Sequence, residues 1–560
     1  MSRRTLRPAA VLVAAIAVAA VPAGAAVGVA APAPQSGADS ATDALPPDPQ
    51  NGAFDRNAST NAADAAPPDP DADVIGWENG YWYNESIDVD QSDGLSDAEL
   101  DRFVARTMAR VERIRGLEFR EDVTIEFVSR DGMREIARNR TFGSSANDQV
   151  WESLFLIGED RDARDEFARY HGELVLGFAA EEGAEKVFLV TANPDRPRTD
   201  EITLAHELTH VLQHQHYDLY QAKYDPPTLD GEFGKDGVVE GEATLVHKKY
   251  QNRCTGAWEC VPTPAGWADV GSYSGSGLRL LFYQPYADGG AYVNSLVEQG
   301  GWEAVAAAHE SLPASSEQVI HRSDEEPASI SIDDTARGGW AVVEVGESRA
   351  QRLGEAAIFA LFRAQAWRHD IPELSGAFGS SRDGPYDAYN YTSRPSEGWG
   401  NDRLLVYRND DESGYVWKTV WDTDSDAREF VEAYVAVLKA NGATRGGQSV
   451  FVIEEGAFAD AFRVVRDGDT VTIVNGPTVD ALGEIRPRAT DATPTATTAS
   501  TEATPTPTDT EPRATTTASV GSTTPAADDG GSVPGFGVVA AAIALLIALA
   551  TVLARRPERE

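Results

Sequence analysis

The residues best able to do chemistry lie close together in LAHELTHVLQHQH, residues 204–216. His206, Glu207 and His210 spell HExxH. Two histidines four positions apart lie on one face of a helix, so both imidazoles aim at one point. Neutral imidazoles are zinc ligands, and a catalytic zinc site needs three protein ligands plus water. Glu207 is placed to take a proton from metal-bound water and pass it to a leaving amine. The chemistry that this pattern supports is metal-assisted hydrolysis.

Three residues compete to be the third ligand. His214 continues the spacing, but a straight helix carries it about 12 Å from His206, too far to share one ion. It is read as a solvated neighbour. His216 has the ten-residue spacing of the longer HExxHxxGxxH pattern. In that pattern a glycine lets the chain turn back, and Gln213 stands in its place. A methionine turn should also follow, yet Met1, Met108 and Met133 all lie upstream. His216 is then a helix-end residue or a supporting one. Glu240 lies thirty residues after His210, in DGVVEGEATLVHKKY. There Glu240, Ala243, Thr244 and His247 share one face of a second helix. The expected site is therefore Zn2+ on His206, His210 and Glu240, with Glu207 as general base. Glu242 points elsewhere and reads as a solvated acid.

These groups need a scaffold. LSDAELDRFVARTMARVERIRGL predicts a helix with Ser96 as N-cap and Glu99 completing a capping box. DVTIEFVSR and KVFLVT predict strands ahead of the HExxH helix, and an edge strand there would pair with an extended peptide. LGEAAIFALFRAQAW predicts another helix. DRLLVYRN, GYVWKTVWDT, FRVVRDG and TVTIVNG predict strands, and DAREFVEAYVAVLKANG predicts a helix ending at Gly442. Cys254 and Cys260 form an isolated close pair, most simply a disulfide outside the cell.

The remaining sequence concerns address. The first 31 residues, basic and then rich in Ala and Val, read as a secretory signal peptide, with Arg3-Arg4 hinting at twin-arginine export. Residues 32–75 read as a disordered stalk and residues 488–530 as a Thr/Pro-rich, O-glycosylated spacer. Asn84, Asn139 and Asn390 head glycosylation sequons. Residues 536–553 form an apolar run of about 27 Å, enough to span a bilayer, and the arginines that follow would stay inside. The chain of 560 residues carries a net charge of −41, which fits high salt and excludes nucleic acid as a partner.

The motifs LAHELTHVLQHQHYDL and VVEGEATLV resemble the thermolysin-like (gluzincin) metallopeptidases. With QPYADGGAYV, SSEQVIH, LGEAAIF, GWGNDRLLVY and WDTDSDAREF, the chain more closely resembles a group of secreted zinc-peptidase-like proteins, over about residues 200–425. The resemblance implies an α+β fold: a zincin-like catalytic subdomain of mixed sheet plus HExxH helix, a mostly helical second subdomain, and a C-terminal α/β portion. It implies a metallopeptidase domain over 76–425, an extension over 426–487, and ligands His206, His210 and Glu240. Pro534-Gly535-Phe536 before the apolar run resembles the PGF sorting signal of haloarchaeal surface glycoproteins. That implies removal of segment 534–560 by an archaeosortase and a lipid anchor. Two departures stand out. Thr244 occupies the place of the family's supporting aspartate, and no motif marks its oxyanion-stabilising histidine. His321, Tyr283, Tyr286 and Tyr292 are the candidates for that role. The expected function is a cell-surface zinc metallopeptidase acting on protein or peptide. The alternatives are a non-catalytic surface protein with a structural or vestigial zinc, or a hydrolase of another wall component.

Overall fold

The computed structural model describes residues 68–139, 147–179, 186–346, 348–379 and 384–487, together with the backbone of Ala14–Ile16. The rest of the signal peptide, most of the stalk, the Thr/Pro-rich spacer, the sorting signal and the apolar run 536–553 lie outside the described residues. Among the described residues no helix is long and apolar enough to cross a membrane.

The chain order is β1 (Ala14–Ile16), β2 (Trp77–Glu78), β3 (Tyr81–Trp82), α1 (Asp97–Arg115), β4 (Thr124–Val128), α2 (Arg130–Asn139), α3 (Asn147–Ser153), α4 (Ala163–Leu174), β5 (Val175–Ala179) and β6 (Lys186–Val190). Four helices form the middle: α5 (Glu201–Tyr217), α6 (Leu229–Cys254), α7 (Ser276–Glu310) and α8 (Ser316–His321). The last part is β7 (Ala341–Val343), α9 (Gly354–Arg368), β8 (Trp399–Asn409), β9 (Glu412–Trp421), α10 (Asp424–Ala440), β10 (Thr444–Gly447), β11 (Val450–Val452), β12 (Ala461–Asp467), β13 (Thr470–Gly476) and α11 (Val479–Ile485). The fold is α+β, as expected.

A small mixed sheet has the order β1-β5-β6-β4. β4 runs parallel to β6, while β5 runs antiparallel to it. KVFLVT is thus an inner strand, and β5, in ELVLGFA, is the strand nearest the HExxH helix. The three residues of β1 pair antiparallel with the outer edge of β5. A second sheet, order β10-β11-β12-β13-β9-β8-β7, is antiparallel throughout and joins strands on both sides of residue 425.

The helices that position the site start and stop where their caps dictate. Ser96 and Glu99 form the expected capping box on α1. Asp200 caps α5 through the Thr203 amide, and Asp218, in the left-handed region, ends it just after His216. Leu204, Leu208, Val211 and Leu212 dock α5 on a core shared with Phe103, Met108, Val111 and Leu189. Beside that core a buried charge cluster fixes the start of α5. Glu201 Oε1 accepts from Arg106 at 3.0 Å and Arg110 at 2.8 Å, and Glu201 Oε2 accepts from the Val261 amide at 2.6 Å. Val261 follows the Cys254–Cys260 disulfide, which is present as expected. α6 contains four glycines, each costing about 1 kcal/mol of helix propensity. A close approach explains the one beside Glu240: a Cβ on Gly241 would lie 2.5 Å from the carbonyl oxygen of Gly289 in α7.

Candidate metal centre

α5 and α6 bring His206, His210 and Glu240 together. His206 Nε2 lies 3.1 Å from His210 Nε2, and Glu240 Oε2 lies 3.3 and 3.4 Å from them. Ligands at tetrahedral zinc distances would be separated by about 3.4 Å. All three residues are buried, none more than 5% exposed.

The hydrogen bonds around them show what the triangle needs. Gln213 Nε2 donates to Val239 O at 2.9 Å and to Glu242 Oε2 at 3.0 Å, which fixes the amide orientation. Its Oε1 then faces His210 Nδ1 at 2.8 Å, so Nδ1 carries the proton and donates. The lone pair of His210 Nε2 is left pointing at the triangle. Glu240 Oε2 faces both imidazole Nε2 atoms. Burial pushes the Glu240 carboxyl up, but the His210 and His206 imidazoles outweigh it and hold it down at about 2. Burial also lowers His206, favouring the neutral ring. Burial lowers His210 too, but the Glu240 and Glu207 carboxylates outweigh it and raise that ring, so the point where the three residues converge favours a cation, and a metal ion fits it.

Gln213 therefore has a positive role, not only the negative one of excluding a glycine turn. It links His210 to Glu242, and here the expectation fails. Glu242 is 1% exposed, not solvated. It accepts from Arg115 and from His309 Nε2, the latter at 2.6 Å. Burial alone would raise its carboxyl, yet Arg115 and His309 keep it strongly ionised. The Gln213–Glu242 pair thus supplies the outer support that Thr244 cannot, and Thr244 instead packs its methyl group toward Gly290 of α7. His214 is also buried, at 6% exposed, with its ring 4.9 Å from that of Tyr220 and tilted to it, rather than meeting solvent. Burial lowers it to about 4. His216 lies in the last turn of α5 and bonds the Glu118 carbonyl at 2.8 Å, well away from the triangle in role.

Glu207 is fully buried. Its carboxylate lies against β5, where a Cβ on Gly177 would come within 2.9 Å of Glu207 Oε1. Of the four candidates for a further polar group, Tyr286 is the one at the centre. Its ring stacks on His206 with centroids 6.0 Å apart, and its hydroxyl is within hydrogen-bonding reach of Glu240. Tyr283 stacks on Tyr286 from further out, Tyr292 packs beside Leu245 and Val293, and His321 is bound to Glu355 at 2.9 Å. His309, Arg115 and β5 were not anticipated. No spacing ties His309 or Arg115 to the motif, and β5 follows α4 directly with no turn residue between.

A family described as a domain of unknown function, DUF8575, matches residues 341–486, which hold the seven-stranded sheet with α9, α10 and α11. That stretch lies wholly after the metal cluster. No curated protein and no solved structure matches the chain.

Proposed function

We propose that this chain is an exported, cell-surface zinc metallopeptidase, held at the membrane by its C-terminal segment or a lipid. The observation that carries the reading is the meeting of Glu240, from a second helix, with both HExxH imidazoles while Glu207 faces β5. Zinc bound there would lower the pKa of its water to about 7 and polarise a carbonyl. With a metal held there, Glu207 would serve as the base that takes a proton from its water and would pass it to the departing amine. Gln213 holds His210 in the tautomer that offers Nε2, and Glu242 makes that ring more basic through the same amide. Tyr286 offers a hydroxyl beside the site. Once the signal peptide that contains β1 is removed, the edge of β5 that β1 occupies would take an extended peptide antiparallel in its place.

The test is zinc content and casein cleavage in high salt, wild type beside Glu207→Gln. The expected variant keeps one equivalent of zinc and loses cleavage. Cleavage that survives the substitution refutes the mechanism. A second reading, a shielded structural metal, draws on the complete burial of Glu207 and His210. Inhibition by a hydroxamate, which needs an open coordination position, separates the two.

A further inference from the structure

A second cluster lies apart from the histidines and uses none of them. Glu152 is in α3, Glu159 lies in the turn before α4, and Asp460 immediately precedes β12. One carboxylate oxygen from each lies within 4.8 Å of the others. Glu152 and Asp460 are each 3% exposed, while Glu159 reaches the surface. Each buried carboxylate has one oxygen engaged by a buried amide. Gln149 Nε2 donates to Glu152 Oε2 at 2.5 Å, and Asn475 Nδ2 donates to Asp460 Oδ2 at 2.7 Å. The other oxygen of Glu152 has no N–H or O–H donor, and the carboxyl groups of Glu152 and Asp460 lie within hydrogen-bonding reach of each other; Gln149 Oε1 and Asn475 Oδ1 receive no hydrogen bond either.

Among the described residues, no base forms an ion pair with Glu152, Glu159 or Asp460. The neighbouring charges that act on Glu152 and Asp460 are other carboxylates. Burial and those charges push Glu152 far up and Asp460 up to about 7. Ionised carboxylates this close and this dry need a shared proton or a cation between them. The donors are oxygen alone, with neither imidazole nor thiolate, which selects a hard cation over zinc. One carboxylate at the surface leaves room for water, which suits the flexible oxygen coordination of calcium. The cradle is preformed, since the Glu159 amide donates to Ala457 O at 2.8 Å and draws the two segments together.

We propose that Glu152, Glu159 and Asp460 form a calcium site, its two buried carboxylates oriented by Gln149 and Asn475, that clamps α3 to the C-terminal sheet. The clamp joins segments about three hundred residues apart, across the start of the DUF8575 match. It does not depend on the peptidase reading.

The experiment titrates chelator-stripped, full-length protein with calcium chloride by calorimetry at fixed high ionic strength. Wild type and His206→Ala are compared with Glu159→Gln and Asp460→Asn. Wild type and His206→Ala bind one saturable equivalent, and a hundredfold excess over Kd raises the thermal midpoint by roughly 3–6 °C. Glu159→Gln changes a surface carboxylate, so it folds and keeps its calcium-free midpoint. It loses affinity by at least about tenfold, together with the midpoint gain. Asp460→Asn loses the calcium signal as well. The absence of saturable uptake in wild type, or undiminished uptake in both carboxylate variants, overturns the site and leaves two carboxyl groups sharing a proton.

Discussion

Replacing Gln213 by alanine tests whether the outer support of the metal centre works as its geometry indicates. The side chain is 1% exposed and makes three contacts: acceptor to His210 Nδ1, donor to Val239 O and donor to Glu242 Oε2. Truncation frees His210 to change tautomer and rotate. Outer partners of ligating histidines are worth about 10–100-fold in metal affinity, or about 1.4–2.7 kcal/mol. Zinc affinity should fall by that factor when measured by competition with a chromophoric chelator. The metal-free protein should also lose about 2–4 kcal/mol on denaturant unfolding. The buried Val239 carbonyl loses its side-chain donor, and a cavity opens beside His210. Glu242 retains Arg115 and His309, which limits the loss. Gln213→Glu should separate the two effects. It keeps an acceptor for His210, and so more of the zinc affinity, but sets a second carboxylate against Glu242 and destabilises the fold more. Zinc affinity within twofold of wild type in Gln213→Ala would refute the relay.

Gly177→Ala would push a methyl group against Glu207 and Leu189. Cleavage should drop by about a hundredfold with zinc still bound, and an unchanged rate would show that β5 does not set the position of Glu207. Glu240→Ala should abolish stoichiometric zinc by metal analysis while His216→Ala retains it; the reverse result would restore the ten-residue spacing as the ligand pattern. Arg115→Met removes a partner of buried Glu242 and should cost about 3–5 kcal/mol in chemical denaturation. His321 is raised to about 9 by its hydrogen bond to Glu355, aided against burial by the Glu355 and Glu317 charges. Because the folded value lies above the unfolded one, this stability is complete below about pH 6.5 and is lost as pH rises to about 9. The thermal midpoint should fall across that window, and less so in His321→Gln; parallel curves for the two proteins would contradict the pairing.

What could be read from the sequence follows periodicity and local chemistry. The capping box on α1, the alternating strands of the second sheet and the helix ending before Gly442 all depend on neighbours in the chain, and all are found. The convergence of His206, His210 and Glu240 follows from helical spacing on two helices. The buried polar network follows from neither. Arg106, Arg110 and Arg115 sit on a helix whose pattern suggests solvent, yet they are almost completely buried because Glu201 and Glu242 come from other helices to meet them. Glu242 reads as a solvated acid in the sequence for that reason: its partners lie 127 and 67 residues away. β5 escaped notice because a five-residue apolar run joined to a helix carries no boundary of its own.

The close backbone approach of Gly241 and Gly289 also bears on how the centre is walled. α5 is tied to α6 through Gln213, and α6 touches α7 with no side chain between them at Gly241. α5, α6 and α7 thus form one closely packed block carrying both imidazoles, Glu240 and Tyr286. The centre is therefore asymmetric: one helical block supplies every candidate ligand, and the small sheet faces it across the Gly177–Glu207 contact.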